Sequence, residues 1–149
     1  MRISHFWLLF ALILAGCRGL NQPAAASFAS VVIANHPPEE IQAAVGQVFR
    51  EDGYAGRATG PGRMLFEKEG TRANSLAYNG IAGTQAGAGV QVRVRTELVD
   101  LGGKTYRLQC QAFMLRNAGD SFFEEETRLS NLRGGPYQKL LDETARRLQ

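Results

Sequence analysis

VQVRVRTELVDLGGKTYRLQCQAFM, residues Val90–Met114, is the stretch that decides the fold. Val90, Val92, Val94, Thr96 and Leu98 alternate with Gln91, Arg93, Arg95 and Glu97, the two-residue period of a strand buried on one face. Leu101-Gly102-Gly103 supplies a turn, and Tyr106, Leu108, Cys110, Ala112 and Met114 carry the alternation back. Three turn residues set Leu98 opposite Tyr106, Val94 opposite Cys110 and Glu97 opposite Arg107. The apolar faces of the two strands then coincide, and a slip of one residue would send polar side chains into the core.

Working outward, Ser27–Ala34 is rich in β-branched residues (Val31, Val32, Ile33) and reads as a first strand, stopped by Asn35-His36-Pro37-Pro38. A helix follows. Pro38 suits an early helical position, Glu39 and Glu40 suit the positive end of the dipole, and Ile41, Ala44, Val45, Val48 and Phe49 recur on one helical face. Gly53 is placed to end it. Residues 57–63 read as a turn-rich loop, and Met64–Lys68 as a second strand. Residues 70–89 hold five glycines and read as a long loop, a length that is uncommon inside a compact domain. Beyond the hairpin, Asn117–Asp120 marks a turn and Phe122–Leu129 a more polar strand suited to a sheet edge. A last helix begins near Tyr137, with Leu140, Leu141, Thr144, Ala145 and Leu148 inward.

The order β-α-β-β-β-β-α implies an α+β fold. Its form is a two-layer sandwich, a mainly antiparallel sheet of four to five strands with two amphipathic helices covering one face. This order is similar to the helix-grip and related small domains found among envelope lipoproteins, a likeness of element order that names no family.

The N-terminus gives an address. Arg2 precedes the uncharged apolar run Phe6–Leu14, and small residues lead into Cys17, the order of a secretory signal. The run is shorter than the ~20 apolar residues of a spanning helix. Leu14-Ala15-Gly16-Cys17 resembles the lipobox of bacterial lipoproteins. That resemblance implies cleavage before Cys17, diacylglycerol on its thiol, and commonly an acylated amine. Residues 1–16 are then the signal peptide, 17–27 the lipidated N-terminus and tether, and 28–149 a single domain. Arg18, in place of an Asp that would resemble an inner-membrane retention signal, points to the outer membrane, with the domain facing the periplasm.

Composition limits the partners. Only Arg2 precedes Cys17 among 17 Lys+Arg and 14 Asp+Glu, so the part from Cys17 onward has 16 basic against 14 acidic residues. These are interspersed, so nucleic acid, which needs a basic face, is not expected. The expected partners are the membrane, through the lipid, and an envelope protein.

Candidate chemistry is thin. With Cys17 lipidated, Cys110 is a lone thiol on an apolar strand face and reads as a small hydrophobe. His36 is the sole histidine after cleavage, so no zinc ligand set assembles, and no nucleophile motif accompanies it. Glu124-Glu125-Glu126 reads as a strand edge in which the middle carboxylate points away from the other two. Gly102-Gly103-Lys104-Thr105 lacks the earlier glycine of a phosphate-binding loop, because Leu98 stands there. No cofactor, metal or catalytic residue is expected. Arg72, Asn74, Tyr78 and Asn79 form either a partner-recognition patch or a loop whose tyrosine caps the core. The functional expectation is a non-enzymatic binding or assembly module, with a carrier of a small lipid or metabolite between helices and sheet as the alternative.

Overall fold

The computed structural model describes residues 28–70 and 90–149. Along them run β1 (Ala29–Ala34), α1 (Pro38–Glu51), β2 (Ala55–Gly60), β3 (Arg63–Glu69), β4 (Gln91–Gly102), β5 (Thr105–Arg116), β6 (Glu125–Arg128), a 3-10 turn (Asn131–Arg133) and α2 (Gly135–Arg147). The strands form one antiparallel sheet in the order β1-β5-β4-β3-β2, and β6 also pairs with β5. β1 and β6 share one edge of β5, since β1 pairs with 105–110 and β6 with 113–116. The fold is therefore the α+β sandwich that the alternation implied.

Besides the shortening of the strand expected over Phe122–Leu129 to Glu125–Arg128, with a turn at 121–123 held by the Asp120 carboxylate, two details correct the sequence reading. Residues 57–60, expected within a loop over 57–63, lie in β2, which pairs with β3 from Ala55 opposite Glu67 to Gly60 opposite Arg63, and Arg63 already belongs to β3. The run Ala-Gly-Arg-Ala-Thr-Gly carries no apolar alternation, because at the sheet edge it is almost wholly exposed. Its inward neighbour explains the glycine: a Cβ at Gly56 would lie 2.5 Å from the Phe66 ring.

The second correction is the hairpin register. Leu98 opposes Leu108, Val94 opposes Ala112 and Glu97 opposes Gln109, two residues beyond the expected pairing. The turn is the pair Gly103-Lys104, with φ of 60° and 59°, and the register shifts between Asp100 and Gly102. Two central residues with positive φ match the right-handed twist of a hairpin. A slip of two residues keeps every side chain on its face, so the predicted core survives the error.

That core lies between the sheet and both helices. Ile41, Val45 and Phe49 of α1 and Leu141 of α2 pack with Phe66, Val94, Ala112 and Met114, all at most 2% exposed. Phe49 stacks on Phe66 with ring centroids 4.3 Å apart. Gly53, at φ 87°, ends the first helix as expected. Thr144, the buried polar residue of α2, donates its hydroxyl to the Leu140 carbonyl at 2.9 Å, so its burial leaves no unmet donor.

The β1 edge is closed by the last helix. The Gln138 side-chain oxygen accepts from the Ser30 N–H at 3.0 Å, and its Nε2 donates to the Ser30 carbonyl at 2.9 Å. One side-chain amide thus replaces the missing neighbouring strand at this residue.

Candidate functional site

Helices cover one sheet face, and pleating sends alternate side chains to the other. Across this open face the register aligns Glu67 with Arg93 and Phe113, and Arg63 with Glu97 and Gln109. Arg93 is the centre. Its guanidinium donates to Glu67 Oε1 at 2.6 Å, Glu124 Oε1 at 2.8 Å and Glu126 Oε2 at 3.2 Å. Its side chain is only 16% exposed. Burial works against the charge, yet the hydrogen bonds that Arg93 donates to Glu124 and Glu67 outweigh it and hold its pKa above the ordinary value. Reciprocally, Arg93 and then the Gly119 N–H hold the Glu124 carboxyl below the usual carboxylate range.

The network spreads from there. Arg95 reaches Glu126 at 2.8 Å and lies 4.5 Å over the Phe113 ring, which shields that aromatic side chain on this face. Arg63 donates twice to Glu97 Oε1, at 3.2 and 3.1 Å, and Gln109 donates to the other Glu97 oxygen at 3.1 Å. Glu125 sits 3.7 Å from Arg116, while Glu124, in the turn before β6 rather than in a strand as expected, and Glu126 both reach Arg93. The acidic triplet is therefore split between two uses: Glu124 and Glu126 fasten β6 to β4 across β5.

A half-open trough of about 830 Å³ lies on this face, with Arg57, Thr59, Arg63, Arg95, Gln109 and Gln111 among its walls. Arg57, at the edge, has no carboxylate partner among the described residues. The trough offers donors in excess: charged forks that suit planar anionic or carbonyl groups.

The site residues singled out from sequence fall elsewhere. Cys17, Arg72, Asn74, Tyr78 and Asn79 lie outside the described residues. His36 bonds Glu40 through Nδ1 at 3.0 Å, one helical turn away. Cys110 is 2% exposed, and burial pushes its thiol up to about 12, far from a reactive thiolate. Among the described residues, no three His, Cys, Asp or Glu side chains converge as metal ligands, and no helix is long and apolar enough to cross a membrane.

Sequence reasoning placed Arg93, Arg95 and Glu97 on the polar face but gave them no role. The available signal was only opposite charge, Glu67 and Glu126 against Arg93, in three stretches read as strands. No family model, curated protein or solved structure matches the chain.

Proposed function

We propose that this chain is an envelope lipoprotein, attached to the outer membrane through Cys17 and facing the periplasm, whose domain is a non-enzymatic binding or assembly module. The observation that carries the binding role is the open sheet face. Its side chains are ordered by an ion-pair network around Arg93, while Arg57 at the trough's rim has no carboxylate partner among the described residues. Ordered polar side chains beside a concavity lose little freedom when a partner docks. The expected partner is an envelope protein, and Arg72, Asn74, Tyr78 and Asn79 belong to the same recognition reading.

Photo-crosslinking in intact envelopes tests this. A photoreactive residue at Thr59 or Gln111 should capture a discrete protein, whereas one at Lys139 on α2 should not. Equal capture from both faces would remove the open face from the argument. Deleting residues 72–86 should abolish capture while leaving the melting transition in place. Unchanged capture would take that segment out of the interface. Radiolabelled palmitate should enter the wild-type chain and not Cys17→Ser.

The carrier alternative requires space between helices and sheet. Ile41, Phe49, Phe66 and Leu141, at most 1% exposed, fill that layer, so no observation favours it.

A further inference from the structure

The β5–β6 connection, residues 117–124, holds two adjacent aromatic side chains out of the fold: Phe122 is 90% and Phe123 68% exposed. Exposure here does not come from a loose loop. Asp120 Oδ1 accepts from the Phe122 N–H at 3.0 Å and the Phe123 N–H at 3.3 Å. Asn117 Nδ2 donates to the Phe123 carbonyl at 3.1 Å, and the Glu124 N–H donates to the Asp120 carbonyl at 2.8 Å. Glu124 Oε2 accepts from the Gly119 N–H at 3.1 Å while its other oxygen binds Arg93. The turn is thus built from its own polar groups and fastened to the sheet, and both rings project from it. An apolar pair presented this way contributes nothing to the core and is suited to leaving water elsewhere.

Two features identify where. First, the backbone groups around the rings are already hydrogen-bonded, so transfer to a poorly hydrating medium strands few donors or acceptors. Second, the geometry brings a bilayer near. β1 runs antiparallel to β5, so its first residue points back toward the end of β5 that carries the turn. Eleven residue steps separate Cys17 from Phe28, a reach of at most ~40 Å. A chain lipidated at Cys17 therefore keeps this turn within range of the membrane surface.

We propose that Phe122 and Phe123 make a second, non-covalent contact with the bilayer to which Cys17 ties the chain, entering the interfacial zone and fixing the domain's orientation. This rests on the lipidation reading. The turn's carboxylates have internal partners: Asp120 with two N–H groups, Glu124 with Arg93, and Glu125 beside Arg116. Contact should accordingly form on a zwitterionic surface without anionic lipid.

The test uses the lipidated chain from Cys17 onward carrying Phe122→Trp; cleavage before Cys17 removes Trp7, the one tryptophan of the sequence, so the exposed position 122 is the sole emitter. It is reconstituted in phosphatidylcholine vesicles containing brominated acyl chains. The expected result is blue-shifted emission with roughly half or more lost to bromine, since interfacial rings sit ~5–10 Å into the headgroup and acyl boundary. A matched Lys139→Trp protein should be unquenched. Water-like, unquenched emission from position 122 on a chain shown by mass to carry lipid at Cys17 would overturn the contact and leave the anchor standing. A chain without that lipid would remove the anchor and the proposal together. A blue shift that needs added envelope protein and no bromine quenching would assign the pair to a protein and overturn the membrane contact.

Discussion

Replacing Gly56 by alanine tests the least expected element, the edge strand β2. The added methyl would lie 2.5 Å from Phe66 Cε1 and 2.6 Å from Cδ1. Phe66 is 1% exposed and stacked on Phe49, so its ring has no free space to retreat into. Overpacking of this kind costs about 1–3 kcal/mol. Lowering the entropy of the unfolded chain by replacing glycine returns about 0.4–1 kcal/mol. The net expectation is a loss of about 1–2 kcal/mol, equivalent to roughly 4–8 °C in Tm for a domain of this size. Gly60 is the control within the same strand, since a Cβ there meets nothing within 4 Å. Gly60→Ala should leave stability unchanged or raise it by a few tenths of a kcal/mol. Urea unfolding followed by circular dichroism reads both. Equal stabilities for the two variants, or a more stable Gly56→Ala, would mean that residues 55–60 do not lie against Phe66.

Three further outcomes follow from the geometry. Arg93→Met should lower stability by about 1–2 kcal/mol at neutral pH, between the values for exposed and buried ion pairs. Because Arg93 depresses the Glu124 pKa in the folded state, that stabilisation is complete above the ordinary carboxylate value of 4.5 and lost as pH falls through the depressed one. The gap between variant and wild type should therefore narrow in acid, and a constant gap down to pH 3 would refute the pairing. Gln138→Ala, which removes both bonds to Ser30, should cost about 1–2 kcal/mol and speed amide exchange at Ser30. Unchanged exchange would show that the β1 edge is closed by something else. Cys110 should resist thiol reagents at pH 8 until the protein unfolds, since burial raises its pKa to about 12. In denaturant the chain isolated from envelopes should titrate one thiol, and two would refute lipidation of Cys17.

The parts legible in the sequence were those where a periodicity meets a buried face. Val92, Val94, Leu108 and Ala112 declared the central hairpin, and Ile41, Val45 and Phe49 declared α1, because each faces the common core. β2 was hidden because an edge strand of small residues leaves no such trace, and its decisive feature, the space Phe66 takes over Gly56, is a tertiary fact. The hairpin turn was misplaced for a related reason. Gly102 and Gly103 both invited the central position, and only the backbone reveals that Lys104 also adopts positive φ. Of the open face, parity gave the polar side of β4 but not its partners. Glu67, Arg93 and Glu126 meet because β6 returns to the same edge of β5 as β1, a choice of topology that no local pattern encodes.

That topology also makes the two candidate surfaces energetically distinct yet joined at one residue. Arg57 stands at the trough rim on β2, while Phe122 and Phe123 stand on the turn before β6, whose hydrogen bonds to Asp120 and Asn117 stay within that turn. Arg57→Ala and Phe122→Ser should consequently affect partner capture and bilayer quenching separately, with additive effects when combined. Arg93 lies on the trough wall and also holds Glu124, whose second oxygen pins the turn through Gly119. Arg93→Met should weaken capture at Thr59 and raise exchange at the Gly119 amide in the same protein. A variant that loosened the turn and left trough capture untouched would show that the network orders β6 alone.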